Sequence, residues 1–129
     1  MVSQVAKRPK RILVVEDNEL NMRLWNDILE AQGYALLKTA LGLEAVVIAR
    51  ESRPDLILLD IQLPDLSGFD VAQRLKADAV TRSIPIVAVT AFARREDKKR
   101  ALESGCDGYI SKPVSIIEFL QKIETFLAH

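Results

Sequence analysis

The sequence predicts an α/β domain with a doubly wound, five-stranded parallel sheet and five helices. Short apolar runs alternate along the chain with longer segments whose apolar residues have helical spacing. The runs, such as "LILL" at 56–59, are apolar at successive positions, which is typical of strands covered on both faces. This alternation favours a sheet between two layers of helices, and 129 residues suit one domain.

Ten elements are predicted in strict alternation along the chain. The strands are predicted at residues 11–15, 34–39, 55–59, 84–89 and 108–111. The helices are predicted at residues 19–32, 42–53, 67–77, 93–104 and 115–127. Residues 1–9 are predicted to form an N-terminal tail, and residues 10–129 the folded domain.

The helices carry local signals for their ends and their buried faces. Gly33 follows the first helix, where a left-handed residue is favoured. Ser67, three residues before Asp70, marks the start of the third helix, and Ser115 with Glu118 forms a capping box at the last. The hydrophobic staple at that box is predicted at Val114 and Phe119. The buried faces of the first and last helices are predicted at Leu20, Leu24, Ile28 and Ala31, and at Ile116, Leu120, Ile123 and Leu127.

Composition and charge exclude several classes of protein. Eighteen basic and eighteen acidic residues cancel, so charge gives no argument for a nucleic-acid or membrane partner. Cys106 is the only cysteine, which excludes an internal disulfide and fits a reducing compartment. The first ten residues lack a signal-peptide core, and no run reaches the ~18 apolar residues of a membrane span. A cytoplasmic protein is therefore expected.

The residues that follow the apolar runs carry the chemistry. Glu16 and Asp17 follow the first run, Asp60 the third, Thr90 the fourth and Lys112 the fifth. A strand order of 2-1-3-4-5 leaves the second run at an edge. The other four carboxyl ends then meet at the crevice where such sheets bind ligands. Three carboxylates, a hydroxyl and an ammonium group are therefore expected in one site.

This cluster favours Mg²⁺ and phosphoryl transfer. Two carboxylates about 4 Å apart repel by roughly 4 kcal/mol at an effective dielectric near 20, so three acids beside one lysine need a further cation. All-oxygen ligands suit Mg²⁺ rather than zinc or copper. The ion would gather phosphate oxygens, Lys112 and Thr90 would contact the phosphoryl group, and Asp60 would be the nucleophile.

Each residue also has an ordinary structural interpretation. Glu16 and Asp17, followed by Asn18, suit the N-terminus of a helix through capping and the helix dipole. Thr90 is a common residue at the end of a strand, and Lys112 before a proline is usually solvated. Complementary groups at four strand ends favour the site over four separate coincidences.

Four segments, "VVEDNELN", "LILLDIQLPDLSG", "VAVTAFA" and "GYISKP", resemble in this order the receiver domain of two-component response regulators. The resemblance covers about residues 10–128 and implies a CheY-like, flavodoxin-like fold. It implies phosphorylation of Asp60, with Asp17 binding Mg²⁺ directly and Glu16 mainly through water. The implied metal ligands are Glu16, Asp17, Asp60 and the backbone carbonyl of Gln62.

The resemblance also implies how the phosphoryl group is contacted and sensed. Thr90, Ala91 and Lys112 are expected to contact it, and the small side chain of Ala91 leaves the mouth of the site open. As a switch, Thr90 is expected to move toward the phosphoryl group while Tyr109 turns into the vacated space. The peptide bond before Pro113 is expected to be cis.

Two protein partners are expected. A sensor histidine kinase or histidine phosphotransfer protein would supply the phosphoryl group and dock at Leu20, Met22 and Trp25. A downstream protein would contact the surface formed by residues 93–127. "EDNELNM" and "YISKPVS" are most similar to stand-alone receivers of bacterial cell-cycle phosphorelays. A receiver excised from a hybrid kinase or larger regulator is the alternative.

Three other classes fit the sequence less well. A Mg²⁺-dependent phosphatase of the haloacid-dehalogenase type needs a second acid two residues after its nucleophile, where this chain has Gln62. A flavodoxin-like FMN binder needs a Ser/Thr/Gly-rich loop after its first strand, where residues 16–19 are largely acidic. A transcription factor would need a DNA-reading domain beyond the last helix. A phosphorylated switch, and not a turnover enzyme, is therefore expected.

Overall fold

The computed structural model describes residues 8–91, 95–112 and 115–127, and these ranges contain the predicted alternation of five strands and five helices. The strands are β1 (Arg11–Val15), β2 (Ala35–Thr39), β3 (Leu56–Asp60), β4 (Ile86–Thr90) and β5 (Gly108–Ser111). The helices are α1 (Glu19–Ala31), α2 (Gly42–Ser52), α3 (Gly68–Ala77), α4 (Arg95–Glu103) and α5 (Ile116–Leu127). Most of the predicted tail lies outside the described residues. Among the described helices, none combines the length and apolar character that crossing a membrane requires.

The sheet has the predicted order, β2-β1-β3-β4-β5, and its described strands all pair in parallel. The chain leaves β1 for the β2 edge and then returns to place β3 on the other side of β1. Strand order therefore reverses between β1 and β3, which is where a crevice opens in a doubly wound sheet.

The core consists of two layers, one on each face of the sheet. Ile57 and Leu59 belong to the layer covered by α2, α3 and α4, whereas Leu56 and Leu58 belong to the layer covered by α1 and α5. β3 is buried at every position. A strand with helices on both faces has no solvent side, and this explains why the run that predicted it is apolar throughout.

The predicted buried face of α1 is largely wrong, and of its four residues only Ile28 is half-buried and packs against the core. Leu20 is 75% exposed, Leu24 is 46% exposed, and Ala31 is also exposed. Trp25 is buried instead and stacks on Phe119 of α5, with ring centroids 4.7 Å apart. Burying these two rings removes more apolar area from water than burying the leucines, so the rings decide which face turns inward.

The predicted face of α5 is correct in its second half only. Ile123 and Leu127 are buried and Leu120 is half-buried, but Ile116 is 54% exposed. Phe119 is fully buried in its place. The stacking of Trp25 on Phe119 therefore determines which face of α1 and which face of α5 are buried.

The predicted signals at the start of α3 and at the end of α1 are confirmed, whereas only one of the two contacts of the predicted capping box at Ser115 is seen among the described residues. The Ser67 hydroxyl accepts a hydrogen bond from the Phe69 N–H at 3.1 Å, and the Ser115 hydroxyl lies 3.5 Å from the Glu118 nitrogen. Gly33 has a φ of +88° at the end of α1, as a left-handed C-terminal residue requires. The staple residue Val114 lies outside the described residues.

Candidate functional site

Residues at the ends of four strands, together with the start of α1, line one open cleft of about 870 Å³ at the carboxyl edge of the sheet. Six residues from the sequence prediction line it: Glu16, Asp17, Asp60, Gln62, Ala91 and Lys112. They come from the ends of β1, β3, β4 and β5, the strands whose tips the predicted order brings together.

Three carboxylates form a cluster in this cleft. One carboxylate oxygen from each of Glu16, Asp17 and Asp60 lies within 4.8 Å of the others. Glu16 and Asp60 are 3% and 7% exposed, whereas Asp17 is exposed. Val15 pairs with Leu59 in the parallel ladder between β1 and β3, so the residues that follow are delivered side by side.

The ammonium group of Lys112 faces the cluster. Its Nζ lies 2.9 Å from Glu16 Oε1 and 3.7 Å from Asp60 Oδ2. The backbone N–H of Lys112 donates to the Thr90 carbonyl at 2.7 Å. This bond extends the pairing of β4 and β5 by one residue and fixes the backbone position of Lys112. Lys112 is the one basic residue among the described residues that line the cleft, and the acidic cluster contributes three carboxylates to it.

The electrostatics of the two buried acids differ. Burial, together with hydrogen bonding and repulsion from Glu16, raises the pKa of Asp60 to about 7, although Lys112 opposes the change. Burial also disfavours the charged form of Glu16, but hydrogen bonds with Asp60 and Lys112 hold its pKa below its ordinary value. Of the two acids, Asp60 is therefore the one whose protonated form is favoured.

This donor set fits Mg²⁺. The cluster offers only carboxylate oxygens, which hard divalent cations prefer. Burial is the main cause of the raised pKa of Asp60, and repulsion from Glu16 adds to it despite the charge of Lys112. A divalent cation would supply the missing positive charge.

The loop between β3 and α3 holds Asp60 and Gln62 in place. The Gln62 N–H donates to Asp60 Oδ1 at 3.2 Å, and the Gly68 N–H donates to the Ile61 carbonyl at 2.8 Å. Gln62 also forms an isolated antiparallel bridge with Ser67. A Cβ atom at Gly68 would lie 2.6 Å from the Asp60 carbonyl oxygen and 2.7 Å from the Ile61 Cα. Only glycine allows α3 to begin this close to the strand end.

Thr90 and Tyr109 are both buried, but in different places. Thr90 is 1% exposed at the carboxyl end of β4, beside the strand that carries Asp60. Tyr109 is 8% exposed and packs in the core layer under α2, α3 and α4, paired with Ala88 in the β4–β5 ladder. Burial, and secondarily the charge of Asp97, raises the pKa of Tyr109. Pro113 lies outside the described residues.

Sequence reasoning missed the role of Asp65. Its carboxylate accepts hydrogen bonds from the N–H groups of Gly42 and Leu43 at the start of α2. The residue stands in a Pro-Asp turn, where its ordinary turn chemistry gives no signal of a contact to another helix. Only the tertiary structure shows this contact.

Comparison with known proteins agrees with this geometry. The family model described as the response regulator receiver domain matches residues 12–124. The chain is 53% identical over 119 residues to the polar-differentiation response regulator DivK of Brucella anthropi, covering 92% of this chain and 97% of that protein. The predicted resemblance to receivers of this type is confirmed.

Solved structures lead to the same family. The receiver domain of a sensor histidine kinase from Pseudomonas aeruginosa, with a magnesium ion coordinated in its active site cleft, has a TM-score of 0.88 and 32% identity. It covers 95% of this chain and 100% of that one. A CheY-like response regulator receiver domain protein from Methanospirillum hungatei has a TM-score of 0.85 and 32% identity over 94% of this chain and 95% of its own. With its strand order, its acidic cleft and a family match over most of its length, this chain belongs to the response regulator receiver domain family of two-component signalling.

Proposed function

We propose that this protein is a phosphorylation switch in which Asp60 accepts a phosphoryl group in a Mg²⁺-dependent reaction. The observation that carries the proposal is the cleft where Glu16, Asp17 and Asp60 face Lys112. The magnesium in the cleft of the Pseudomonas aeruginosa receiver domain supports it. The protein would accept and slowly lose its own phosphoryl group and would not turn over a substrate.

The chemistry follows from the positions of the side chains. Magnesium would be held by the carboxylates of the acidic cluster and the backbone carbonyl of Gln62, and when bound it supplies positive charge for the phosphoryl oxygens. An Asp60 carboxylate oxygen attacks phosphorus, and the bond from phosphorus to the donor breaks with its electron pair staying on the donor. Lys112 then neutralises a phosphoryl oxygen, the Thr90 hydroxyl donates to another, and Ala91 leaves the mouth open.

The direct test is incubation with acetyl phosphate and Mg²⁺, followed by intact mass and site mapping. We expect one added phosphoryl group, on Asp60, and none when EDTA is present. Asp17→Asn should need more Mg²⁺ for the same rate, since it removes one carboxylate charge from the proposed metal site. An Asp60→Asn protein that still gained a phosphoryl group in EDTA would refute the proposal.

The proposed phosphoryl donor is a sensor histidine kinase or a histidine phosphotransfer protein that docks on α1. The docking strip differs from the predicted one because Trp25 is 6% exposed and belongs to the core, and Met22 is half-buried against the same core layer. Leu20, which is 75% exposed and lines the cleft with Asp60, offers accessible apolar surface there, and Leu24, one turn further along α1, is 46% exposed.

Leu20→Ala should therefore slow transfer from a phosphorylated donor protein while leaving the reaction with acetyl phosphate unchanged. The two rates are measured side by side on the same preparation. Equal slowing of both reactions would place Leu20 in the chemistry of the site and would argue against docking.

The proposed output passes through Thr90 and Tyr109 to the surface of α4, β5 and α5. Tyr109 lies on β5 in the core layer that includes Ala101 of α4, so a shift of its ring reaches that helix. Beryllofluoride should change the affinity for a downstream partner by about 5–150-fold if the coupling has the usual 1–3 kcal/mol. Tyr109→Ala should remove most of that change. An equal response in parent and variant would exclude Tyr109 from the switch.

A further inference from the structure

Helix α2 is capped by a residue from another element. Its N-cap residue, Leu41, has no side-chain acceptor for the first N–H groups of the helix. Asp65, in the loop between β3 and α3, supplies that acceptor. Its Oδ1 accepts from the Gly42 N–H at 2.7 Å, and its Oδ2 accepts from the Leu43 N–H at 2.9 Å. The two elements are thus joined by two charge-assisted hydrogen bonds.

The cap is favourable because the exposed, ionised carboxylate meets the positive end of the helix. The N–H groups of Leu43 and Gly42 hold the pKa of Asp65 below its ordinary value. Packing reinforces the contact, since a Cβ atom at Gly42 would lie 2.7 Å from Val71 Cγ2 and 3.2 Å from Leu66 Cβ. The start of α2 therefore packs against the loop and α3 so closely that position 42 has no room for a side chain.

The loop anchored in this way is the one that follows Asp60. Its base is closed by the hydrogen bond from the Gly68 N–H to the Ile61 carbonyl and by the bridge between Gln62 and Ser67. Asp65 lies three residues after Gln62 and fixes the far end of the loop to α2. A loop that is held at both ends loses less conformational entropy when a ligand binds to it.

We infer that Asp65 is a positioning residue for the metal and phosphoryl site: by capping α2 across the domain, it holds residues 61–67 in the conformation that presents Gln62 to the cation. This inference rests on the proposed function, in which the Gln62 carbonyl is a metal ligand. Asp65 itself would not contact the metal.

The test separates capping from positioning with a second-site substitution. Leu41 has the extended backbone of an N-cap residue, with φ −120° and ψ 136°, and is 43% exposed. Leu41→Asp can therefore cap α2 locally and restore the lost charge in an Asp65→Ala protein. Asp70→Asn, an exposed carboxylate in the first turn of α3, controls for the loss of charge alone.

Mg²⁺ affinity is measured by calorimetry, stability by urea unfolding in EDTA, and loop order by amide exchange of the Gln62 N–H. Asp65→Ala should lower stability, speed the exchange and weaken Mg²⁺ binding about 10-fold, a usual loss when a supporting residue is removed. Adding Leu41→Asp should restore stability but neither the affinity nor the exchange rate. Asp65→Asn keeps one acceptor, so its stability and Mg²⁺ affinity should lie between those of the parent and of the alanine variant. It replaces the alanine variant in the test if that variant fails to fold.

Two results would overturn the inference: parental Mg²⁺ affinity in Asp65→Ala, or recovery of the affinity together with stability when Leu41→Asp is added. Either result would make Asp65 a helix cap and nothing more. Failure of the proposed function is distinguishable, because the parent itself would then lack Mg²⁺ binding or phosphorylation at Asp60.

Discussion

Asp60→Asn is expected to stabilise the metal-free protein by about 2–4 kcal/mol at pH 8 and by much less at pH 5. The parent's Asp60 has its pKa raised to about 7 by burial and by Glu16. Between its ordinary pKa and about 7, the folded state holds a proton that the unfolded state has lost. The stability of the parent therefore falls as pH rises through this window, and the loss is complete above about pH 7. Asparagine has no proton to lose and avoids that cost.

Urea unfolding in EDTA at the two pH values measures this effect. Asp70→Asn removes an exposed carboxylate and should show no gain that depends on pH. Mg²⁺ should stabilise the parent much more than Asp60→Asn, because only the parent retains the full acidic cluster and ligand binding adds RT ln(1 + [L]/Kd). A gain of equal size at pH 5 and pH 8 would contradict the electrostatic explanation.

Gly68→Ala is expected to destabilise the fold by about 1–3 kcal/mol and to damage the site at the same time. Alanine is ordinarily the better helix former, so packing must reverse the usual preference. It does so because the new Cβ would meet the Asp60 carbonyl oxygen at 2.6 Å and the Ile61 Cα at 2.7 Å. Both atoms belong to the backbone that carries the proposed phosphoryl acceptor, so relief of the clash must move that backbone.

Gly33→Ala is the matched control. Gly33 has a φ of +88°, and a Cβ atom there would meet none of the described residues beyond its chain neighbours within 4 Å, so alanine introduces backbone strain without a clash among them. It should cost roughly 1–2 kcal/mol while Mg²⁺ affinity and the rate with acetyl phosphate stay at parental values. Gly68→Ala should lower both. If the two variants lost stability but shared parental affinity, the close approach at Gly68 would have no bearing on the site.

The strands and the main site residues were predictable because their signals are local. The run at 56–59 is apolar at each position, and Asp60 follows it directly. Both features can be read from the sequence without knowing which other segments pack against this one. The convergence of Glu16, Asp17 and Lys112 also required the strand order 2-1-3-4-5, which is one of the orders of a doubly wound sheet and the one that the structure has.

The faces of the helices were predictable only in part. Spacing in α1 admits either the leucines or Trp25 as the buried set, and intrinsic periodicity does not choose between them. The choice depends on Phe119, nearly a hundred residues away in the chain. That pairing is a property of two helices and not of either sequence segment.

By itself the sequence determined the alternation of strands and helices and the acids and lysine that stand at the strand ends, because each follows from residues within a short stretch of chain. Only the tertiary structure decided which face of α1 is buried, why Gly68 must lack a side chain and where the carboxylate of Asp65 binds. These depend on distances between segments that are remote in sequence, where a few ångströms separate a contact from none. Periodicity and turn chemistry carry no information on such distances.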